Sequence, residues 1–94
     1  MNLEEKSERI KEELDILKNK YGCIITAPNS INKHTQEWQY LITYERIGRV
    51  CQKIKVNVHM EYIDVFISLP PKRFDGDEQV KDAIEWVEVF LRNP

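Results

Sequence analysis

Apolar side chains recur at helical spacing along the first twenty residues. Leu3, Ile10, Leu14, Leu17 and Tyr21 fall three, four or seven apart, which predicts a helix over 3–20 with one apolar stripe. Asn2 followed by Glu5 has the form of a capping box, and Gly22 stands where a helix stop is expected. Ile16 falls off the stripe.

From Cys23 the pattern changes. Cys23 to Ala27 is a short β-rich run ended by Pro28, and residues 29–36 form a polar loop. The segments 37–47, 50–60 and 62–69 then read as strands of a meander, because apolar and polar positions alternate. In the middle segment Ile54, Val56, Val58 and Met60 share one face, and Lys53, Lys55, Asn57 and His59 the other. Before it, Trp38, Tyr40, Ile42 and Tyr44 oppose Gln39, Leu41, Thr43 and Glu45. After it, Ile63, Val65, Ile67 and Leu69 oppose Tyr62, Asp64, Phe66 and Ser68.

A one-residue slip between the first two of these strands exchanges their faces. Pairing Ile47 with Val50 around Gly48-Arg49 would place Trp38, Tyr40 and Tyr44 beside Lys53 and Lys55, an aromatic and basic surface suited to single-stranded nucleic acid. Pairing Arg46 with Val50 around Ile47-Gly48-Arg49 joins the aromatics to Ile54, Val56 and Val58 instead. The second register is expected, because it assembles one continuous apolar face whose burial drives folding. At the next junction, pairing His59 with Tyr62 aligns Val58 with Ile63 and Val56 with Val65, although Met60-Glu61 is poor turn chemistry.

Pro70-Pro71 stops the last strand, and Lys72-Arg73-Phe74 reads as a loop. Asp75, with Glu78 three later, is expected to cap a second helix over 76–92. Its stripe of Val80, Ala83, Ile84, Val87 and Leu91 is widened by Trp86 and Phe90. The expected fold is a single α+β domain over 1–94. It has two layers: a four-stranded antiparallel meander sheet, with the N- and C-terminal helices packed on one face, in the order αββββα.

Charge adds an asymmetry. The net charge is −2, which disfavours a wholesale polyanion binder. Yet residues 22–73 hold seven bases against four acids, and residues 74–94 hold six acids against two bases. The basic groups include Arg46 and Arg49 at a hairpin tip and Lys53 and Lys55 on the polar sheet face. No apolar run approaches the roughly 20 residues that span a bilayer. The acidic N-terminus is unlike a signal peptide, and two cysteines suit a reduced, cytoplasmic setting.

Candidate chemistry is sparse. Cys51 and His59, eight positions apart on one strand, would lie about 26 Å from each other and form no dyad. Cys23 with His34 remains conceivable across the loop, though a structural thiol is the default. The two Cys and two His lack zinc-site spacing, and Asp75-Gly76-Asp77-Glu78 suits a helix cap better than a cation loop. No nucleotide, zinc-protease or nucleophile-elbow motif is present. Neither catalytic residues, metal nor cofactor are therefore expected.

The leading expectation is a non-enzymatic interaction or adaptor domain, a homodimer or other homo-oligomer, that binds a protein partner or a second copy of itself. Its surface would use Leu41, Tyr62 and Phe66 on the polar sheet face, Trp86 and Phe90 on the last helix, or a sheet edge. The alternatives are a nucleic-acid module using Arg46, Arg49, Lys53 and Lys55, and a ligand pocket between sheet and helices.

Overall fold

The computed structural model describes residues 2–27, 34, 36–44, 52–67 and 69–92. They form α1 (Leu3–Tyr21), β1 (Ile24–Thr26), β2 (Trp38–Tyr44), β3 (Gln52–Val58), β4 (Ile63–Phe66), β5 (Lys72–Phe74) and α2 (Gln79–Arg92). All strand pairings are antiparallel and follow chain order, β1-β2-β3-β4-β5.

The helix ends follow their local signals. Asn2 accepts a hydrogen bond from the Glu5 N–H at 2.8 Å, and Gly22 takes the left-handed conformation (φ 72°) while donating to the Lys18 carbonyl at 2.8 Å. A side chain at position 22 would be strained in that conformation.

The β2–β3 register is the apolar-face alternative: Trp38 opposes Val58, Tyr40 opposes Val56 and Ile42 opposes Ile54. Tyr40, Ile42 and Tyr44 are buried, and Trp38 packs half-buried against the same core. Burial of the continuous apolar face therefore decides between the two registers. The hairpin tip that carries Arg46 and Arg49 lies outside the described residues, as does Cys51.

Both helices cover this one face. Leu3, Ile10, Leu14 and Leu17 of α1 and Ala83, Ile84, Val87 and Leu91 of α2 share the core with Ile54, Val56, Val58, Ile63 and Val65. The Tyr40 hydroxyl donates to the Ser7 carbonyl of α1 at 2.8 Å. Burial, then the nearby Glu8 charge, push the Tyr40 phenol up to about 12. Tyr40→Phe is therefore expected to cost about 1 kcal/mol at neutral pH. An unfolded tyrosine loses its proton near pH 10, whereas folded Tyr40 keeps it until about 12. Stability contributed by this group is thus lost as pH rises through that window. Urea unfolding at alkaline pH should show the loss in the parent chain and not in Tyr40→Phe.

The meander strands are shorter than expected. β3 ends at Val58 and β4 at Phe66, so that Met60 and Leu69 are exposed and not on the apolar face. Two further corrections concern whole elements. The sheet has five strands, not four. Lys72–Phe74 is β5, paired so that Ile63 opposes Phe74, Asp64 opposes Arg73 and Val65 opposes Lys72. Three residues after two prolines carry too little pattern to be read as a strand. This edge strand takes its hydrogen bonds from β4 and its cover from α2. It also accounts for the wide stripe of α2: Phe74, Trp86 and Phe90 are half-buried against the core. Trp86 and Phe90 meet edge to face at 5.3 Å, with the Lys72 ammonium 4.1 Å from the Trp86 ring centre.

The second correction concerns α2, which begins at Gln79, not at residue 76. Residues 76–78 make a turn in which the Gln79 N–H bonds the Gly76 carbonyl at 3.2 Å, and the first i to i+4 bond runs from Asp82 to Glu78. Asp75 thus sits ahead of the turn and does not cap the helix.

The β3–β4 turn shows how tertiary contacts replace turn chemistry. Its closing bond runs from His59 N–H to the Tyr62 carbonyl at 2.9 Å, as the aligned register requires. Neither Met60 nor Glu61 has the positive φ of the favoured hairpin turns; among described non-glycine residues only Gln36 does (54°). Instead, donors from both helices hold the carbonyls of the turn. The buried Lys6 ammonium donates to His59 O, to Met60 O at 3.0 Å and to Gln79 Oε1. The Gln79 amide in turn donates to Glu61 O at 3.1 Å and Gly76 O at 3.1 Å.

Candidate functional site: the open sheet face

Alternation along the strands sends every second side chain to the face opposite the helices. Among the described residues no helix or strand packs over that face. Its rows follow from the registers. Ile24, Thr43 and Lys53 form one row; Thr26, Leu41, Lys55 and Phe66 the next; Gln39, Asn57, Asp64 and Arg73 the third. Continuing the same registers places Glu37, His59 and Tyr62 in a fourth.

The face divides into two halves of different chemistry. The half beside the β3–β4 turn is a bonded polar network. Glu37 Oε2 lies 3.3 Å from His59 Nε2 and accepts from Asn57 Nδ2 at 3.2 Å. Asp64 accepts a two-pronged bond from Arg73, Nε to Oδ1 at 2.9 Å and Nη2 to Oδ2 at 3.0 Å. This partnership holds the Arg73 guanidinium above its ordinary range. Tyr62 stands between its strand neighbours: His59 stacks on it with ring centres 4.2 Å apart, and the Arg73 guanidinium carbon lies 3.8 Å from its ring centre. Asn57 and Asp64 are each only 8% exposed, because they sit on interior strands with these long side chains around them. Asn57 Oδ1 finds no donor among the described residues.

The other half is apolar and basic. Ile24 is 64% exposed, Leu41 and Phe66 are half-buried, Lys53 is exposed and Lys55 half-buried. The Lys55 ammonium sits 4.3 Å from the Phe66 ring centre. No carboxylate pairs with Lys53 or Lys55 among the described residues.

The structure brings together Leu41, Tyr62, Phe66, Lys53 and Lys55, all on this face. It separates them from Trp86 and Phe90, which lie on α2 on the other side of the sheet. The Glu37–His59 and Asp64–Arg73 partnerships were missed in the sequence. Their outward parity was legible, but the second pair needs β5, and both need the strand order.

Elsewhere, Cys23 is buried, and burial pushes its thiol up, away from a reactive thiolate. His34 is exposed. Among the described residues no three His, Cys, Asp or Glu side chains gather to hold a metal ion, and no helix is long and apolar enough to cross a membrane. Comparison with protein-family models, curated proteins and solved structures found no significant match.

Proposed function

We propose that this chain is a non-enzymatic protein-binding domain that uses its open sheet face to dock a different protein chain. The observation that carries this reading is the placement of Leu41, Phe66 and exposed Ile24 together on a sheet face that no described element covers. A two-layer fold hides one sheet face with its own helices and leaves the other for a partner to act as third layer.

Charge and symmetry favour a different chain over a second copy. In a two-fold packing of two open faces the lysines of one copy would meet either the other's lysines or a polar half whose Glu37 and Asp64 are already engaged by His59 and Arg73. Acidic α2 lies on the opposite side of the sheet, so its contact with another copy's open face is head-to-tail and does not close into a dimer. Light scattering is expected to return the monomer mass of 11.2 kDa at high concentration.

The docking reading is tested by photo-crosslinking in the native host. A crosslinker at Leu41 is expected to give a discrete protein adduct that Phe66→Ser abolishes. The same group at Ile16, exposed on α1, is expected to give none. An adduct removed by nuclease, one formed equally at both positions, or none at Leu41 would overturn the reading.

A further inference from the structure

We infer that the apolar and basic half of the open face binds an acidic amphipathic helix of the partner. This rests on the open-face reading and specifies the partner's chemistry. Of the acids described on this face, Glu37 is engaged by His59 and Asn57 and Asp64 by Arg73. Asp75, opposite Tyr62 in the continued register, lies beside Arg73 in the polar half and away from Lys53 and Lys55. The charge left over is that of Lys53 and Lys55. It stands in the same two rows as Ile24, Leu41 and Phe66. A ligand that satisfies both properties carries carboxylates and apolar side chains on one surface.

Nucleic acid meets only half of this requirement. Its bases need free aromatic faces, and here the rings are occupied. Phe66 lies beneath the Lys55 ammonium, and Tyr62 stands between His59 and Arg73. Ile24 and Leu41 are aliphatic and match leucine-like side chains better than bases.

Dimensions point to a helix. The row from Thr26 through Leu41 and Lys55 to Phe66 crosses four strands, a span of about 14 Å. About nine or ten helical residues cover that length, enough to present an apolar stripe flanked by carboxylates.

The test uses the full chain and a designed helical peptide of about 15 residues, with leucines on one stripe and glutamates on its flanks. Controls are the same peptide with lysine for glutamate and an oligothymidylate. Amide shifts are expected around Leu41, Lys53, Lys55 and Phe66 with the glutamate peptide alone. Lys53→Glu/Lys55→Glu should weaken its binding about tenfold or more and transfer preference to the lysine peptide. Added salt should weaken it as well. Both changes lie on the open face, and a preserved amide spectrum confirms folding.

If both peptides shift these residues equally, the anionic chemistry is wrong while the open-face reading stands. Shifts confined to α1 and α2, or no binding by either peptide, overturn the inference and leave the open-face reading to the crosslinking experiment. Tighter binding of oligothymidylate than of the glutamate peptide overturns both.

Discussion

Val56→Lys is expected to leave the chain unfolded in urea-free buffer, whereas Lys55→Val, one position away, shifts the unfolding free energy by no more than about 0.5 kcal/mol. Val56 is 1% exposed and sits between Tyr40 and Val65 in the centre of the sheet. A lysine there exchanges apolar contact for a charge with no partner, at a cost of several kcal/mol. A small domain has roughly 5–15 kcal/mol in total, and one of this size lies toward the low end. Lys55 points to the open face, so its replacement removes one contact with the Phe66 ring and gains strand propensity. Circular dichroism across a urea titration separates the two outcomes. Similar losses in both variants would show that the faces are wrongly assigned.

Lys6→Met is expected to destabilise the fold by about 2 kcal/mol, although it replaces a buried charge with an apolar side chain of similar length. Two effects oppose each other. Burial pushes the Lys6 ammonium below its ordinary range, so removing the charge relieves a desolvation cost. Against this, His59 O, Met60 O and Gln79 Oε1 each lose a charged donor, at about 1–3 kcal/mol for every acceptor left unpaired and buried. Water reaches part of the turn, since Met60 and Glu61 are exposed, so the loss stays well below the sum of three. The hydrogen bonds win because the turn has no favourable chemistry of its own, and faster exchange of the His59 amide should accompany the loss.

The pH dependence has a defined sign. With the folded ammonium titrating lower than the unfolded one, the unfolded chain binds more protons between the folded value and about pH 10.4. The stability gap between the parent chain and Lys6→Met should therefore widen as pH rises toward that limit. A constant gap would contradict a desolvated Lys6.

The open-face residues were legible in the sequence because parity along a strand is local. Leu41, Lys53, Lys55, Tyr62 and Phe66 occupy outward positions once the inward set is recognised as apolar. Their organisation was not legible. Arg73 reads as a loop residue until β5 pairs with β4, and only then does it meet Asp64 and Tyr62. The helical stripe holds a similar lesson. Between Leu3 and Ile10 the next core turn is filled by Lys6 and Ser7, both buried, where periodicity expects apolar side chains. Lys6 binds the β3–β4 turn and Gln79, and the Ser7 carbonyl accepts from Tyr40.

By itself, then, the sequence determined the two helices and the antiparallel meander, and it favoured, without fixing, the β2–β3 register that puts Tyr40 and Tyr44 on the core side. Each of these depends on periodicity or on burial of one continuous apolar face, both of which are written in neighbouring residues. Tertiary structure alone decided the fifth strand, the final choice of β2–β3 register, the start of α2, the Met60-Glu61 turn and the division of the open face into a bonded polar half and an apolar, basic one. Those features depend on hydrogen bonds, ion pairs and cation–ring contacts between different elements. Some span more than fifty positions, as from Lys6 to His59 and Gln79, and no local pattern encodes a partner so far along the chain.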